Sequence, residues 1–568
     1  MRKDYPSREC PFVTGRAGAA APGASLSAPV EYPSETFTEA ERARLAPHFS
    51  DLDGPVFALL NLPETVKGAL FARYSRYPGT LRRLFLDEFA DSLPELPAGW
   101  DTSGEGERAA QLYERIFLGY GDDSVAQLGG VHVACEWVSN VLTKVLQRPR
   151  LAAYLEQSTR YIAYDAPMDA TPPAGTARGR YRYFRDAALG PQYEAAMDSL
   201  FDTYADLLPR VSAWAAEQFP RGEGEAEAAH ARAIKAKALD LLRGLLPAAS
   251  LSHMGIFATG QTYEQLILHL LAHPLPEAQR CGTMILRAVQ STIPSFVTRV
   301  ERPDRGGAWV DYLRTRAEAG RAWAERLGLA EDEGLDTAGG PSVRLLRAEG
   351  SEDDLLAALL YEASGVPEES ARAAVAALDG EQRAALLRDV VGARENRRHR
   401  PGRGFEALRY RFEIVSDYGA FRDLQRHRML TVQWQALTPH LGAEVPEEVE
   451  LAGCGDDYRR ALEVSRVEYE RLAAAGLRDA APYAVCLGYR IRYVLDMNAR
   501  AAMQLIELRS GREGHPSYRA VAHALHAAIA DVHPAVAATM THVDRDIEPR
   551  LERILSEMRT QAKQDASR

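Results

Sequence analysis

Apolar residues recur at helix-like intervals through residues 59–89, and Pro63 and Pro78 interrupt the run. Residues 99–106 are polar and predict a loop, followed by helices over 109–118 and over 131–146, the latter closed by Pro149. The Ala-, Leu- and Lys-rich stretch 228–246 predicts a helix ending near Pro247, and 262–272 predicts another. Further on, 343–346 reads as a short strand before a helix at 353–361. The partial alternation of RYRFEIV at 409–415 predicts a strand, and 483–509 reads as chiefly helical. On that last helix Asn498 and Arg509 would sit about 20° apart at 3.6 residues per turn, on one polar edge. Val494, Met497, Ala501, Leu505 and Leu508 would form its apolar flank. Helices with short strands point to an α/β or α+β fold.

Two stretches break the pattern. Residues 11–30 are rich in Gly, Ala, Pro and Ser, so 1–31 is expected to be a flexible extension. EDEGLDTAGGPS at 331–342 reads as a linker, which divides the chain into a first domain over 32–330 and a second over 343–568. A chain of 568 residues exceeds the size at which single cores stop growing.

Composition narrows the function. The formal charge of -11 argues against nonspecific attraction to nucleic acid or membranes, leaving local basic pockets open. No apolar run approaches the length of a bilayer span and no secretory segment opens the chain, so a cytoplasmic protein is expected. The five cysteines form no CxxC pair or zinc-ligand spacing, which favours reduced, buried thiols and no metal site.

The candidate chemistry lies in arginine-rich motifs that occur once in each half. Arg148-Pro-Arg150 is followed by Glu156, Ser158 and Arg160; Arg426-His427-Arg428 is followed at the same spacing by Trp434, Ala436 and Thr438. Arg478 to Pro482 and Asn498-Ala-Arg500 through Arg509 come later, and in the first half Arg243 and Pro247 recur while Thr259, Gln261 and Leu270 stand in the Asn, Arg and Arg places. Arginine forks suit phosphate and uracil oxygens, and serine adds a directional hydrogen bond. A phosphate would repel Glu156, so that residue is expected to orient an arginine or a base donor. Taken singly, each of these residues is as easily a salt-bridge or surface group.

The ordered set resembles the flavin-dependent thymidylate synthases, whose RHR triplet precedes a Glu-x-Ser-x-Arg pattern, and it occurs as a tandem duplication over much of residues 60–300 and 343–540. The resemblance implies reductive methylation of dUMP to dTMP, with methylenetetrahydrofolate as carbon donor, FAD as cofactor and NADPH as reductant. It assigns Arg148, Glu156, Ser158, Arg160, Arg243, Arg478 and Arg509 to dUMP, with Arg509 also the catalytic group that stabilises electron density on the uracil. Ser364, Glu406, Arg426, His427, Arg428, Asn498 and Arg500 fall to the flavin side, with Ser75 and the region of Gln127 as first-half counterparts of Ser364 and Glu406. Family sites form between subunits, so the fused halves are expected to share a composite site and the chain to self-associate, as a homodimer. The competing reading is a noncatalytic flavin- or nucleotide-binding structural protein on the same scaffold, motivated by Pro149, Trp434, Ala436, Thr438 and Leu270.

Overall fold

The computed structural model describes residues 32–33, 35–92, 126–127, 129–168, 180–222, 226–329, 340–547 and 551. The expected extension at 1–31, the loop at 99–106, the helix at 109–118 and linker residues 331–339 lie outside the described residues.

The fold is α+β: mostly helix, with two four-stranded antiparallel sheets. The first contains β1 (Val56–Ala58), β2 (Gly130–Ser139), β3 (Ala152–Glu156) and β4 (Leu251–Thr259), in the order β1-β2-β4-β3. The second contains β5 (Ser342–Glu349), β6 (Arg409–Asp417), β7 (Thr431–Trp434) and β8 (Arg490–Asn498), in the order β5-β6-β8-β7. The two orders are the same, and so is the register: Gly130 opposes Thr259 as Arg409 opposes Asn498. Two copies of one unit make the chain. β2 carries an extra residue that β6 lacks, a bulge between Cys135 and Val138 where Trp137 adopts φ 58°, and β5 carries one between Leu345 and Arg347.

Two helix expectations are corrected. Residues 130–139 form β2 and only Asn140–Leu146 is helical; as a central strand covered on both faces, β2 buries nearly every residue and lacks the alternation that separates strand from buried helix. Residues 490–498 form β8, where Ile491, Tyr493, Leu495 and Met497 alternate on a buried face, and the helix runs only from Ala499 to Arg509. Asn498 therefore does not share a helix edge with Arg509. It is the N-cap, its Oδ1 accepting from Ala501 N at 2.8 Å. Val494 and Met497 belong to the strand, and Leu508 is 37% exposed. The strands at 343 and 409 and the helices at 227–242, 260–272 and 352–361 match expectation.

The halves join through equivalent loops. Pro247 bridges Cys486; Ala248 N donates to Val485 O at 2.8 Å and Leu487 N to Leu246 O at 2.9 Å. Ala249 N to Tyr483 O and Gly488 N to Gly244 O repeat the exchange one step outward, at 2.9 and 2.8 Å. A Cβ on Gly244 would overlap the Tyr458 hydroxyl, so this crossing requires glycine. One apolar core runs through both halves, and residues of 37–90 form a second, smaller one. The reciprocal bonds make Cys486, not Pro482, the counterpart of Pro247, and they set Pro482 opposite Arg243. Arg243 and Arg478 are thus not equivalent positions. Cys135, Cys281, Cys454 and Cys486 are buried free thiols. Among the described residues no helix is long and apolar enough to cross a membrane.

Candidate active site between the halves

Glu156 ends β3 and is buried where the halves meet. Its carboxylate accepts from Lys144 Nζ at 3.0 Å, Gln147 Nε2 at 2.9 Å, Arg422 Nη2 at 2.7 Å and Arg426 Nη2 at 3.3 Å. Lys144 and Arg422 occupy equivalent turns of the equivalent helices Asn140–Leu146 and Tyr418–Leu424. One carboxylate thus serves a cation from each half, and its own counterpart, Trp434, is free to be apolar. Burial alone would raise the Glu156 pKa, but Lys144, Arg422 and Arg426 overcome it and hold the group well below the usual carboxylate range. Burial pushes the Lys144 ammonium down to about 7 against the pull of Glu156.

Beyond Glu156, arginines from both halves converge. Ser158 Oγ accepts from Arg160 N at 3.2 Å, and Arg160 makes a forked pair with Asp240 at 2.8 and 2.7 Å while reaching Tyr518 OH at 3.2 Å. Arg243 Nη1 lies 3.4 Å from Asp423 Oδ2, and Arg426 Nη1 lies 3.7 Å from its other oxygen. Arg509 donates from Nε to His427 Nε2 at 2.9 Å and stacks over the Tyr518 ring. Burial opposes ionisation of Asp423, but Arg426, Arg243, Arg509 and Arg160 together drive its pKa far down. Burial, then Arg509, presses His427 down to about 3, so the imidazole is neutral. Because its Nε2 accepts, its proton resides on Nδ1. Among the described residues, Arg243 Nη2 and Arg428 Nη1 are buried with no hydrogen-bond partner, the former lying 3.7 Å from Asp417 Oδ1.

A cavity of about 360 Å³ opens onto this cluster, lined by Arg426, His427, Arg428, Gln504 and Arg509 from the second half and by Arg150 from the first. Unpaired guanidinium donors at a partly enclosed wall are suited to an anion.

The structure gathers Glu156, Ser158, Arg160, Arg243, Arg426, His427, Arg428 and Arg509 into this one place. Arg148 is not there; it borders a separate first-half cavity. Arg478 is exposed beside Asp479, which lies 3.6 Å from Arg321, and no hydrogen bond or ion pair among the described residues joins it to the cluster. Arg500 lies at the other end of its helix, 3.0 Å from Pro401 O and 3.5 Å from Glu406. Ser364 Oγ reaches only Tyr361 O, at 3.5 Å. Sequence reasoning missed Lys144, Asp240, Arg422, Asp423 and Tyr518. Asp423 lies three residues before the triplet, and superposing the repeat on itself would have set Lys144 against Arg422.

A duplicated α+β unit with one cationic site shared between its copies defines the class of protein. The chain belongs to the thymidylate synthase complementing protein family, whose pattern it matches over residues 87–295 and 349–535. It is 36% identical to the "UPF0159 protein" of Chlamydia muridarum over 544 residues, 93% of this chain and 99% of that one. It is 31% identical to the "UPF0159 protein Ta1429" of Thermoplasma acidophilum over 537 residues, 88% and 99% of the respective chains. A UMP/dUMP methylase from Streptomyces cacaoi, solved with 5-Br dUMP, aligns at 20% identity and TM-score 0.30 over 37% of this chain and 98% of its own.

Proposed function

We propose that the chain is an FAD-dependent thymidylate synthase, methylating dUMP to dTMP with methylenetetrahydrofolate as carbon donor and NADPH as reductant. The observation that carries this reading is the convergence of Arg160 and Arg243 from one half with Arg426 and Arg509 from the other around Asp423. The cavity wall itself carries Arg150, Arg426, Arg428 and Arg509 and no carboxylate among its lining residues, an excess of positive charge complementary to a nucleotide phosphate. Arg160 and Arg243 bind that phosphate, with Nη2 of Arg243, which makes no hydrogen bond among the described residues, as a ready donor. Glu156 does not meet the ligand; it anchors Arg426 and Arg422, as a carboxylate among arginines should.

Arg509 is held by His427 and Tyr518 and so points a fixed cation where density would develop on the uracil. The donors Arg426 and Arg428, the latter with a buried unpartnered nitrogen, fit the phosphate-bearing FAD. When bound, FAD supplies the hydride chemistry. Ser364, Glu406, Asn498 and Arg500 bear on the cofactor only from outside this cavity. dTMP formation suits a cytoplasmic location, and two chains would bring together four copies of the unit.

The reading is tested by anaerobic oxidation of the reduced flavin with methylenetetrahydrofolate, following dTMP. Wild-type protein should show dUMP-dependent oxidation, and Arg160→Ala and Arg509→Ala should each abolish the coupling while retaining FAD. Full turnover in both variants would refute the site; tight binding of dUMP and FAD without turnover would favour a noncatalytic scaffold.

A further inference from the structure

The internal repeat gives the candidate active-site cavity a twin. Between Arg148 and His269 lies a cavity of about 350 Å³, lined by Val145, Arg148, Arg150, Gln261, Gln265 and His269, against about 360 Å³ in the second half. Position for position, Arg148 and Arg150 answer to Arg426 and Arg428, and Gln265 to Gln504. What has changed is the accompanying charge. Asp423 is replaced by Val145 and Glu156 by Trp434, so both carboxylates that neutralise the second-half arginines are gone.

The arginines have remained without them. Arg148 stacks over the Trp434 ring at 5.6 Å, and Arg150 Nη2 donates to Thr431 Oγ1 at 3.0 Å. Both are exposed, and neither has an ion-pair partner among the described residues. A third cation comes from an element outside the repeated sheet units: the helix Ala308–Arg326 is tied to the helix Gly260–Ala272 by Arg314 Nη2 to Leu271 O at 2.8 Å. Its Arg316 lies over the Tyr312 ring at 5.6 Å, outside the cavity lining, and adds after burial to the lowered basicity of Arg148 and His269. His269 uses Nδ1 on Gln265 O at 2.8 Å, which leaves Nε2 for a ligand. Arginines that face one cavity without a carboxylate among its lining residues are suited to an anion.

We propose that this first-half cavity is a second ligand site, for a phosphorylated small molecule held by Arg148 and Arg150. It is a site for binding and not for methyl transfer, because Leu270 stands where Arg509 stands in the twin and Pro149 where His427 does. The inference rests on the cavity and its unbalanced charge, and it holds whichever reaction the second-half site performs.

Calorimetric titration of the full chain with ADP and, separately, with inorganic pyrophosphate tests it. Wild-type protein should bind at least one probe, Arg148→Ala, at a residue that unlike Arg150 lines only this cavity, should weaken that binding at least tenfold, and Arg160→Ala with Arg509→Ala should leave it unchanged. Val145→Asp, which restores the missing carboxylate without touching an arginine, should weaken it comparably while the protein keeps its thermal midpoint. Absence of binding of either probe to wild type would overturn the proposal. So would binding abolished by the Arg160 and Arg509 changes but indifferent to Arg148 and Val145, because the ligand would then lie in the second-half cavity. Loss of dUMP coupling with probe binding intact would count against the proposed reaction alone.

Discussion

Arg509 Nε donates to Nε2 of His427 at 2.9 Å, so the histidine serves the arginine as a neutral acceptor. With its pKa at about 3, His427 does not titrate between pH 5 and 8. His427→Gln can retain an acceptor near Arg509 and should keep much of the dUMP-dependent flavin oxidation. His427→Leu removes the acceptor and should lower kcat about tenfold to a hundredfold, in line with about 1.5 to 3 kcal/mol for a charged hydrogen bond. Neither kcat profile should show an added ionisation between pH 5 and 8; one that vanished in the leucine variant would contradict the neutral assignment.

Glu156 is the counter-ion on which Lys144 and Arg422 both depend. Glu156→Gln leaves two buried cations without it and should cost about 3 to 5 kcal/mol in denaturant unfolding. Because the native pKa lies below the unfolded one, the stability that Glu156 contributes is fully present above about pH 4.3 and is lost as pH falls through the native value. The gap between wild type and variant should therefore narrow in acid.

Asp417 caps the helix Tyr418–Leu424 through Oδ1 to Ala420 N and accepts from the Ser517 hydroxyl on Oδ2. Burial raises its pKa to about 7, against the lowering effect of Arg243. The native state therefore binds a proton that the unfolded state has released between about pH 4 and 7, and stability falls as pH rises through that window. Asn keeps the cap and never ionises. Urea midpoints at pH 4.5 and 7.5 should show Asp417→Asn gaining on wild type at the higher pH, by roughly 2 kcal/mol.

Much of this site was legible in the chain because the triplets and Glu156, Ser158, Arg160 and Arg509 carry fixed spacings that survive folding. The strands were less so. β2 is apolar on both faces and reads like helix, whereas β8 does alternate, but its signal was absorbed into the helix that follows. Asp423 and Tyr518 could not be found by spacing, because their role exists only where the two halves meet. Arg478 shows the opposite failure: its short Arg-to-Pro spacing copies that of Arg243 and Pro247, but the backbone exchange at Pro247 and Cys486 sets the register four residues away.

That register makes Arg243 and Arg478 a decisive pair. Arg243 is buried, shares Asp423 with the other cluster arginines and has an Nη2 that lies 3.7 Å from Asp417 without a hydrogen bond; Arg478 is exposed and outside the cluster. If the composite site binds the nucleotide phosphate, Arg243→Ala should weaken dUMP binding by two to three orders of magnitude, since losing a buried charged contact costs about 2 to 5 kcal/mol. Arg478→Ala should leave it within about twofold, as surface changes usually do. Arg243→Lys separates charge from geometry: a point charge replaces the fork, so binding should recover only in part. Fluorescence titration with dUMP, alongside thermal melts to establish that each variant is folded, measures all three. Equal losses on changing Arg243 and Arg478 would mean that the phosphate lies elsewhere, and an Arg243→Ala protein that bound dUMP as wild type does would remove Arg243 from the site.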